Sequence, residues 1–203
     1  IKRRFNFYMR PNQLILASAS PRRKALLSDM GLTFTVRVAD VEEDDRPHLK
    51  PNDLVLNNAI LKAASVAKEE PDALVLGSDT TVSLNGRIFS KPKDLNEAKQ
   101  MLEALSGQWH EVYSAISLHW PNGNFKESLY EVSQVKFRAL TSSMIQEYHS
   151  RVNPLDKAGA YGIQEASDLI IDSIKGSFNT IMGLPTELLA DQFKKHGFDF
   201  IAD

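Results

Sequence analysis

The sequence predicts a single α/β domain on a mixed, twisted sheet with flanking helices, and three observations carry that expectation. Short apolar runs, Leu14-Ile15-Leu16-Ala17 and Ala73-Leu74-Val75-Leu76, read as strands, the second of them buried on both faces. Segments of helical period, each with start and stop signals, lie between the strand candidates. Two longer segments, His110 to His119 and Leu129 to Phe137, alternate like antiparallel strands joined through Pro121-Asn122-Gly123-Asn124. Helices and strands interleave with no composition shift and no internal repeat, so residues 9–203 form one domain.

Ahead of that domain, Ile1-Lys2-Arg3-Arg4 and the aromatic Phe5, Phe7 and Tyr8 precede Met9. Met9 is read as the true start and residues 1–8 as an upstream or added tail, because no apolar stretch of signal-peptide length follows the charges. A short arm touching membrane or RNA is the alternative. After the Leu14 strand, Ser20 caps a helix from Arg22 to Met30, Pro21 suits its first position and Gly31 stops it. Thr33 to Val38 is a second strand, Val41 to Arg46 an acidic loop, and Leu54 to Lys68 an amphipathic helix. The Ala73 strand is expected to end in Ser78-Asp79-Thr80-Thr81, continue as Val82-Ser83-Leu84 and turn at Asn85-Gly86 into Arg87-Ile88-Phe89. A helix from Asn96 to Leu105 stops at Ser106-Gly107, another runs from Thr141 through Tyr148, and a last one from Pro185 to His196. A strand at Leu169 to Ile174 completes the set.

Composition removes several function classes. With 42% hydrophobic and 25% charged residues the chain is neither disordered nor fibrous. No apolar run exceeds four residues, against ~20 for a bilayer-crossing helix, so no membrane span is expected. Zero cysteines exclude disulfides, thiolate metal sites and cysteine nucleophiles, and are compatible with a reducing compartment. A formal charge of −2 lacks the positive field of a general nucleic-acid binder, so any anion site must be local.

Five segments qualify as sites. Ser18-Ala19-Ser20-Pro21-Arg22-Arg23-Lys24 sets hydroxyls, free N–H groups and three cations at a helix start. Cations there oppose the helix dipole, which a bound phosphate would explain. Asp79, at the expected carboxyl end of an apolar strand, is placed where open sheets form ligand crevices; desolvated beside the core, it calls for a metal or a cation. A turn-capping role is the alternative. The run Glu42-Glu43-Asp44-Asp45 would be relieved by a divalent cation, though a solvated loop relieves it too. Lys91-Pro92-Lys93 suits a triphosphate and equally solvent. The glycines of Asp156-Lys157-Ala158-Gly159-Ala160-Tyr161-Gly162-Ile163-Gln164 permit close backbone approach to a ligand. The five histidines (His48, His110, His119, His149, His196) lack paired metal spacing and are assigned to core or surface. No Walker loop or dinucleotide fingerprint is present, which disfavours ATPase and dehydrogenase chemistry.

Leu16-Ala17-Ser18-Ala19-Ser20-Pro21-Arg22-Arg23, Gly77-Ser78-Asp79-Thr80, Lys91-Pro92 and the run from Asp156 to Gln164 together resemble the Maf family, in the same order from about Leu14 to Phe193. The resemblance implies an elongated fold like that of inosine triphosphate pyrophosphatases, with a deep cleft between two lobes. It also implies a metal-dependent enzyme that cuts nucleoside triphosphates between the α and β phosphates. Carried over by position, Asp79 is the implied proton acceptor. Arg22, Thr80 and Gln164 fall where the family tunes base specificity. Ser18, Arg22, Arg23, Lys62 and Lys91 match phosphate-binding positions, and Glu43 and Asp79 match metal-holding ones.

The implied cofactor is a divalent cation, Mg²⁺ first and Mn²⁺ as alternative, and the implied assembly is a cytoplasmic homodimer. The Asp79-Thr80 pair and the ending Gly162-Ile163-Gln164 look like the dTTP/UTP type, since the 7-methyl-GTP type has Gln after its catalytic Asp. The one departure is Ser90, where the family more often has Gly, so the local turn is open to question. A non-catalytic regulator of cell division that binds nucleotides or DNA is the rival expectation.

Overall fold

Leu14–Leu16, a tripeptide with no exposed side chain, forms β1 and pairs in parallel with a neighbour on each side. In the computed structural model, which describes residues 10–202 except 45 and 47, those neighbours are β2 (Thr35–Val36) and β3 (Leu74–Leu84). β4 (Arg87–Phe89) folds back on the end of β3, and β5 (Trp109–Trp120) runs antiparallel along nearly all of it. β6 (Phe125–Phe137) and β7 (Ile171–Lys175) extend the sheet antiparallel, giving a seven-stranded mixed sheet of order β2-β1-β3-β5-β6-β7 with β4 on β3. The Met9 start and the tail at residues 1–8 lie outside the described residues.

Helices cover the sheet. α1 (Pro21–Asp29) starts as its caps dictate: the Ser20 hydroxyl accepts from the Arg23 N–H, and Pro21 needs no N–H partner at the first position. α2 (Pro51–Ala67) begins three residues before the expected Leu54, again on a proline, and packs on β3 and β5. α3 (Leu95–Leu105) is capped by Asp94 and buries Ala98, Met101, Leu102 and Leu105. α4 (Ser142–Arg151) is capped by Thr141. The short α5 (Ser167–Ile170) and α6 (Phe178–Met182) precede α7 (Thr186–His196), which ends at left-handed Gly197. Among the described residues no helix is long and apolar enough to cross a membrane.

Three sequence expectations need correction. The Thr33–Val38 strand is only Thr35–Val36, because the β1 edge it lies on is three residues long; the N–H of Thr33 bonds instead to the Phe200 carbonyl. Leu169 belongs to a helical turn, and the strand begins at Ile171. β3 has no break at Ser78-Asp79-Thr80-Thr81: it runs as one strand to the expected Leu84, because β5 pairs with it through Ser83 and keeps the backbone extended.

The buried histidines are core elements. On β5, His110 is 2% exposed, shares a 2.8 Å hydrogen bond with the Tyr161 hydroxyl and meets the Phe137 ring edge-on. Burial lowers its pKa to about 4, and burial lowers His119 to about 4 as well. The unfolded chain binds a proton at each near pH 6.5, whereas the native state refuses it until about pH 4. Stability is therefore lost as pH falls through that window, by up to about 3 kcal/mol for His110. Urea midpoints should drop between pH 7 and 4.5, and His110→Gln should flatten the drop; an unchanged pH slope in that variant would refute this origin.

Candidate active site

β1 stops at Leu16, opposite Leu76, and β4 joins β3 only from Val82 onward. Among the described residues, Gly77 to Thr81 thus have no paired strand on that side, and Asp79 stands in the middle of the gap. The sequence expected it at a strand end; it lies mid-strand, opposite Ala115 of β5, at the end only of the parallel β1–β3 ladder. An acid is tolerated there because buried partners meet it.

Those partners come from α2. Lys62, itself 8% exposed, places Nζ 2.8 Å from Asp79 Oδ1, 3.0 Å from Glu43 Oε2 and 3.5 Å from the Ser78 carbonyl. One turn earlier, Asn58 Nδ2 donates to Asp79 Oδ2 at 3.2 Å. Burial by itself would raise the pKa of Glu43, but attraction and a hydrogen bond from Lys62, with help from Lys91 and Arg23, bring it below the ordinary value.

The first turn of α1 supplies the second group. Arg23 turns inward and donates to the Gly183 carbonyl (2.9 Å), Ser18 Oγ (3.1 Å) and Thr80 Oγ1 (3.1 Å). These acceptors answer the question of why a cation sits against the helix dipole. Burial draws the Arg23 pKa down while Asp79 and Glu43 oppose the shift, and a guanidinium keeps its charge throughout. Thr80 Oγ1 also lies 2.8 Å from Ser114 Oγ, so its hydroxyl braces β3 to β5. Arg22 bonds Asp156 Oδ2 at 3.2 Å, and Lys157 bonds Asp156 Oδ1 at 2.8 Å. Burial would raise the Asp156 pKa; Lys157 and then Arg22 pull it below the usual carboxylate value.

Most of these groups line one cavity of about 310 Å³, near the lower end of ligand-pocket volumes, with Asn58 and Ser114 behind its wall. Ser18, Arg22, Arg23, Glu43, Lys62, Asp79, Thr80, Lys91 and Gln164, the full set named from sequence, line it together. Five cationic side chains face three carboxylates in its walls, a local excess of two positive charges in a chain of net −2. The run from Asp156 to Gln164 wraps one side, with Gln164 exposed and its Nε2 on Glu165 at 3.2 Å.

Other sequence candidates divide. Lys24 and Lys93 are exposed and line no part of the cavity. Among the described residues of the acidic run only Glu43 lines it: Asp44 pairs with Arg46, and Asp45 lies outside the described residues. Ser90 requires no left-handed backbone and accepts from the Gly159 N–H at 3.3 Å, so serine in place of glycine leaves the turn intact. The site also uses groups the sequence did not point to. The Gly183 carbonyl accepts from Arg23, Ser78 and Thr80, but it follows a helix of five residues, too short for periodicity to reveal. Asn58 carries no motif at all.

Among the described residues no three His, Asp or Glu side chains cluster closely enough to hold a metal alone. Glu43 and Asp79 nevertheless share one ammonium group, so two carboxylates stand at a single point of the wall. Mg²⁺ takes one or two carboxylates and completes its shell with water and substrate phosphates. The residues therefore fit a cation that arrives with a polyphosphate.

Fold and site together define an α/β protein with a net-cationic pocket around a buried carboxylate. Residues 13–196 match the model of the Maf family, described as Maf-like protein, and the chain belongs to that family. It is 40% identical over 187 residues to a protein of Bacillus anthracis (strain CDC 684 / NRRL 3495) named dTTP/UTP pyrophosphatase, covering 92% of this chain and 97% of that one. A protein of the same name from Bacillus cereus (strain AH820) is also 40% identical with the same coverage. The solved Staphylococcus aureus Ham1 protein aligns over 62% of this chain and 72% of its own, at TM-score 0.45 and 19% identity.

Proposed function

We propose that this chain is a nucleoside triphosphate pyrophosphatase that hydrolyses dTTP and UTP to the monophosphate and pyrophosphate. The observation that carries the reading is the convergence of Asp79, Lys62 and Arg23 with six further predicted side chains on one cationic cavity. The relatives at 40% identity named dTTP/UTP pyrophosphatase support the choice of substrate.

A triphosphate brings close to four negative charges, which Arg22, Arg23, Lys62 and Lys91 offset. Asp79 accepts a proton from the water that attacks the α phosphorus; Lys62 and Asn58 hold its two oxygens, and each oxygen keeps a further lone pair for that proton. The same cations stabilise the departing pyrophosphate. Glu43 and Asp79 would hold Mg²⁺, or Mn²⁺ in its place, and the cation would polarise the phosphoryl oxygens. Of the three specificity candidates, Thr80 has its hydroxyl committed to Arg23 and Ser114. Gln164 at the rim offers a carbonyl and an amide to the imide edge of uracil or thymine. Arg22 acts from the first turn of α1, shared between the phosphates and Asp156. The proposal includes a cytoplasmic homodimer and no stable nucleic-acid complex, the last in keeping with the net charge of −2.

Product identification over a panel of triphosphates with Mg²⁺ and Mn²⁺ tests the reading. We expect pyrophosphate, with kcat/KM for dTTP and UTP at least about tenfold above ATP and GTP, a margin that a few base contacts supply. A best rate with 7-methyl-GTP would overturn the branch, orthophosphate would overturn the bond assignment, and binding without turnover would favour the cell-division regulator.

A further inference from the structure

Asn58 has a more specific place in this site than a hydrogen bond to Asp79. It is 3% exposed on α2, and its whole amide is engaged. Oδ1 accepts from the backbone N–H of Asp44 at 2.8 Å, while Nδ2 donates to the Asp44 carbonyl at 2.9 Å and to Asp79 Oδ2 at 3.2 Å. The orientation of the amide is forced, because the N–H demands an acceptor and both oxygens demand a donor. Asparagine is a poor residue for a buried helix interior, and a desolvated amide is costly unless all its bonds are made. Here one side chain pairs with both backbone groups of a loop residue, as a neighbouring strand would.

The loop so gripped is the one that carries Glu43. Among the described residues the Asp44 side chain pairs with Arg46 two residues on, at the surface, and the Glu43 side chain, 40% exposed, reaches the buried Lys62. Lys62 Nζ joins Glu43 to Asp79 through side chains, and the buried Asn58 amide adds a connection from Asp79 to the backbone of the loop. We propose that Asn58 is a positioning residue that locks the acidic loop and Asp79 into one frame, fixing where the Glu43 carboxylate stands relative to the proton acceptor. Its kinetic consequence rests on the pyrophosphatase reading; the lock itself does not.

Hydrogen exchange read by NMR on the free protein tests the lock directly. In the wild-type chain the Asp44 amide should exchange at least about tenfold more slowly than an unbonded loop amide. Asn58→Leu, which removes every bond, should abolish that protection. Asn58→Asp keeps the acceptor for the Asp44 N–H but loses both donors and sets a second carboxylate against Asp79. It should therefore retain the protection yet lose turnover. For both variants kcat with dTTP should fall about tenfold or more while KM moves less than about threefold, and the Mg²⁺ concentration for half-maximal rate should rise in Asn58→Leu. An unprotected Asp44 amide in the wild-type chain would overturn the proposal, as would wild-type kcat in folded Asn58→Leu. Should Asn58→Leu fail to fold, the wild-type exchange rate and Asn58→Asp decide the matter. Should the wild-type chain release no pyrophosphate, the functional reading fails and the exchange data still judge the lock.

Discussion

Asp79→Asn is expected to lower kcat for dTTP by about 10³-fold or more, the range that removal of a positioned general base produces. The substitution keeps the shape of the side chain. An asparagine oxygen still accepts from Lys62, and Lys62 keeps its second partner, Glu43, so no ammonium is left buried alone. The stability cost should be about 1–3 kcal/mol, from the weakened charge-assisted bond to Lys62 and the lost bond from Asn58 Nδ2, which then meets an amide donor. What disappears is the lone pair able to take a proton at that position. Pyrophosphate release measured beside thermal unfolding separates the two effects. A folded variant that turns over within a few-fold of wild type would remove Asp79 from its role.

The second large effect should come from a residue with no side chain. A Cβ on Gly77 would fall 2.2 Å from the Ala59 carbonyl oxygen and 2.7 Å from the Ala63 nitrogen, both backbone atoms of α2. Neither can rotate away. Gly77→Ala should therefore displace α2 or bend β3, at a cost of about 3 kcal/mol or more, the upper end of overpacking penalties. Because α2 carries Asn58 and Lys62, the displacement should also reach Asp79 and reduce kcat in the fraction that folds. Urea unfolding and single-turnover kinetics on the same preparation test both parts. A variant as stable and as active as wild type would contradict the close packing of α2 on β3.

Close approach of this kind is invisible in a single sequence, where Gly77 reads merely as the end of an apolar run. The parts of the fold that were legible carried local signals. Ser20-Pro21 announced the start of α1, Asn85-Gly86 the turn into β4, and the alternation from His110 onward the long strand β5. The parts that were not legible depend on partners distant in sequence. β3 continues through Asp79 because β5 lies beside it, and β2 is short because β1 is short. The candidate site divides in the same way. Arg23 and Asp79 stood out as charges misplaced for their local element, one at a helix start and one after an apolar run. Asn58 and the Gly183 carbonyl did not, since a helical asparagine and a backbone oxygen leave no mark until the chain is folded. Glu43 was marked as one of four adjacent carboxylates and Lys62 through the family resemblance, and the Lys62 ammonium joins Glu43 to Asp79.

Hydrolysis of dTTP in ¹⁸O-labelled water tests the central claim most directly, that Asp79 delivers water to the α phosphorus within the cationic cavity. The label should appear in the monophosphate, with pyrophosphate unlabelled. Label in pyrophosphate, or release of labelled orthophosphate, would contradict that chemistry.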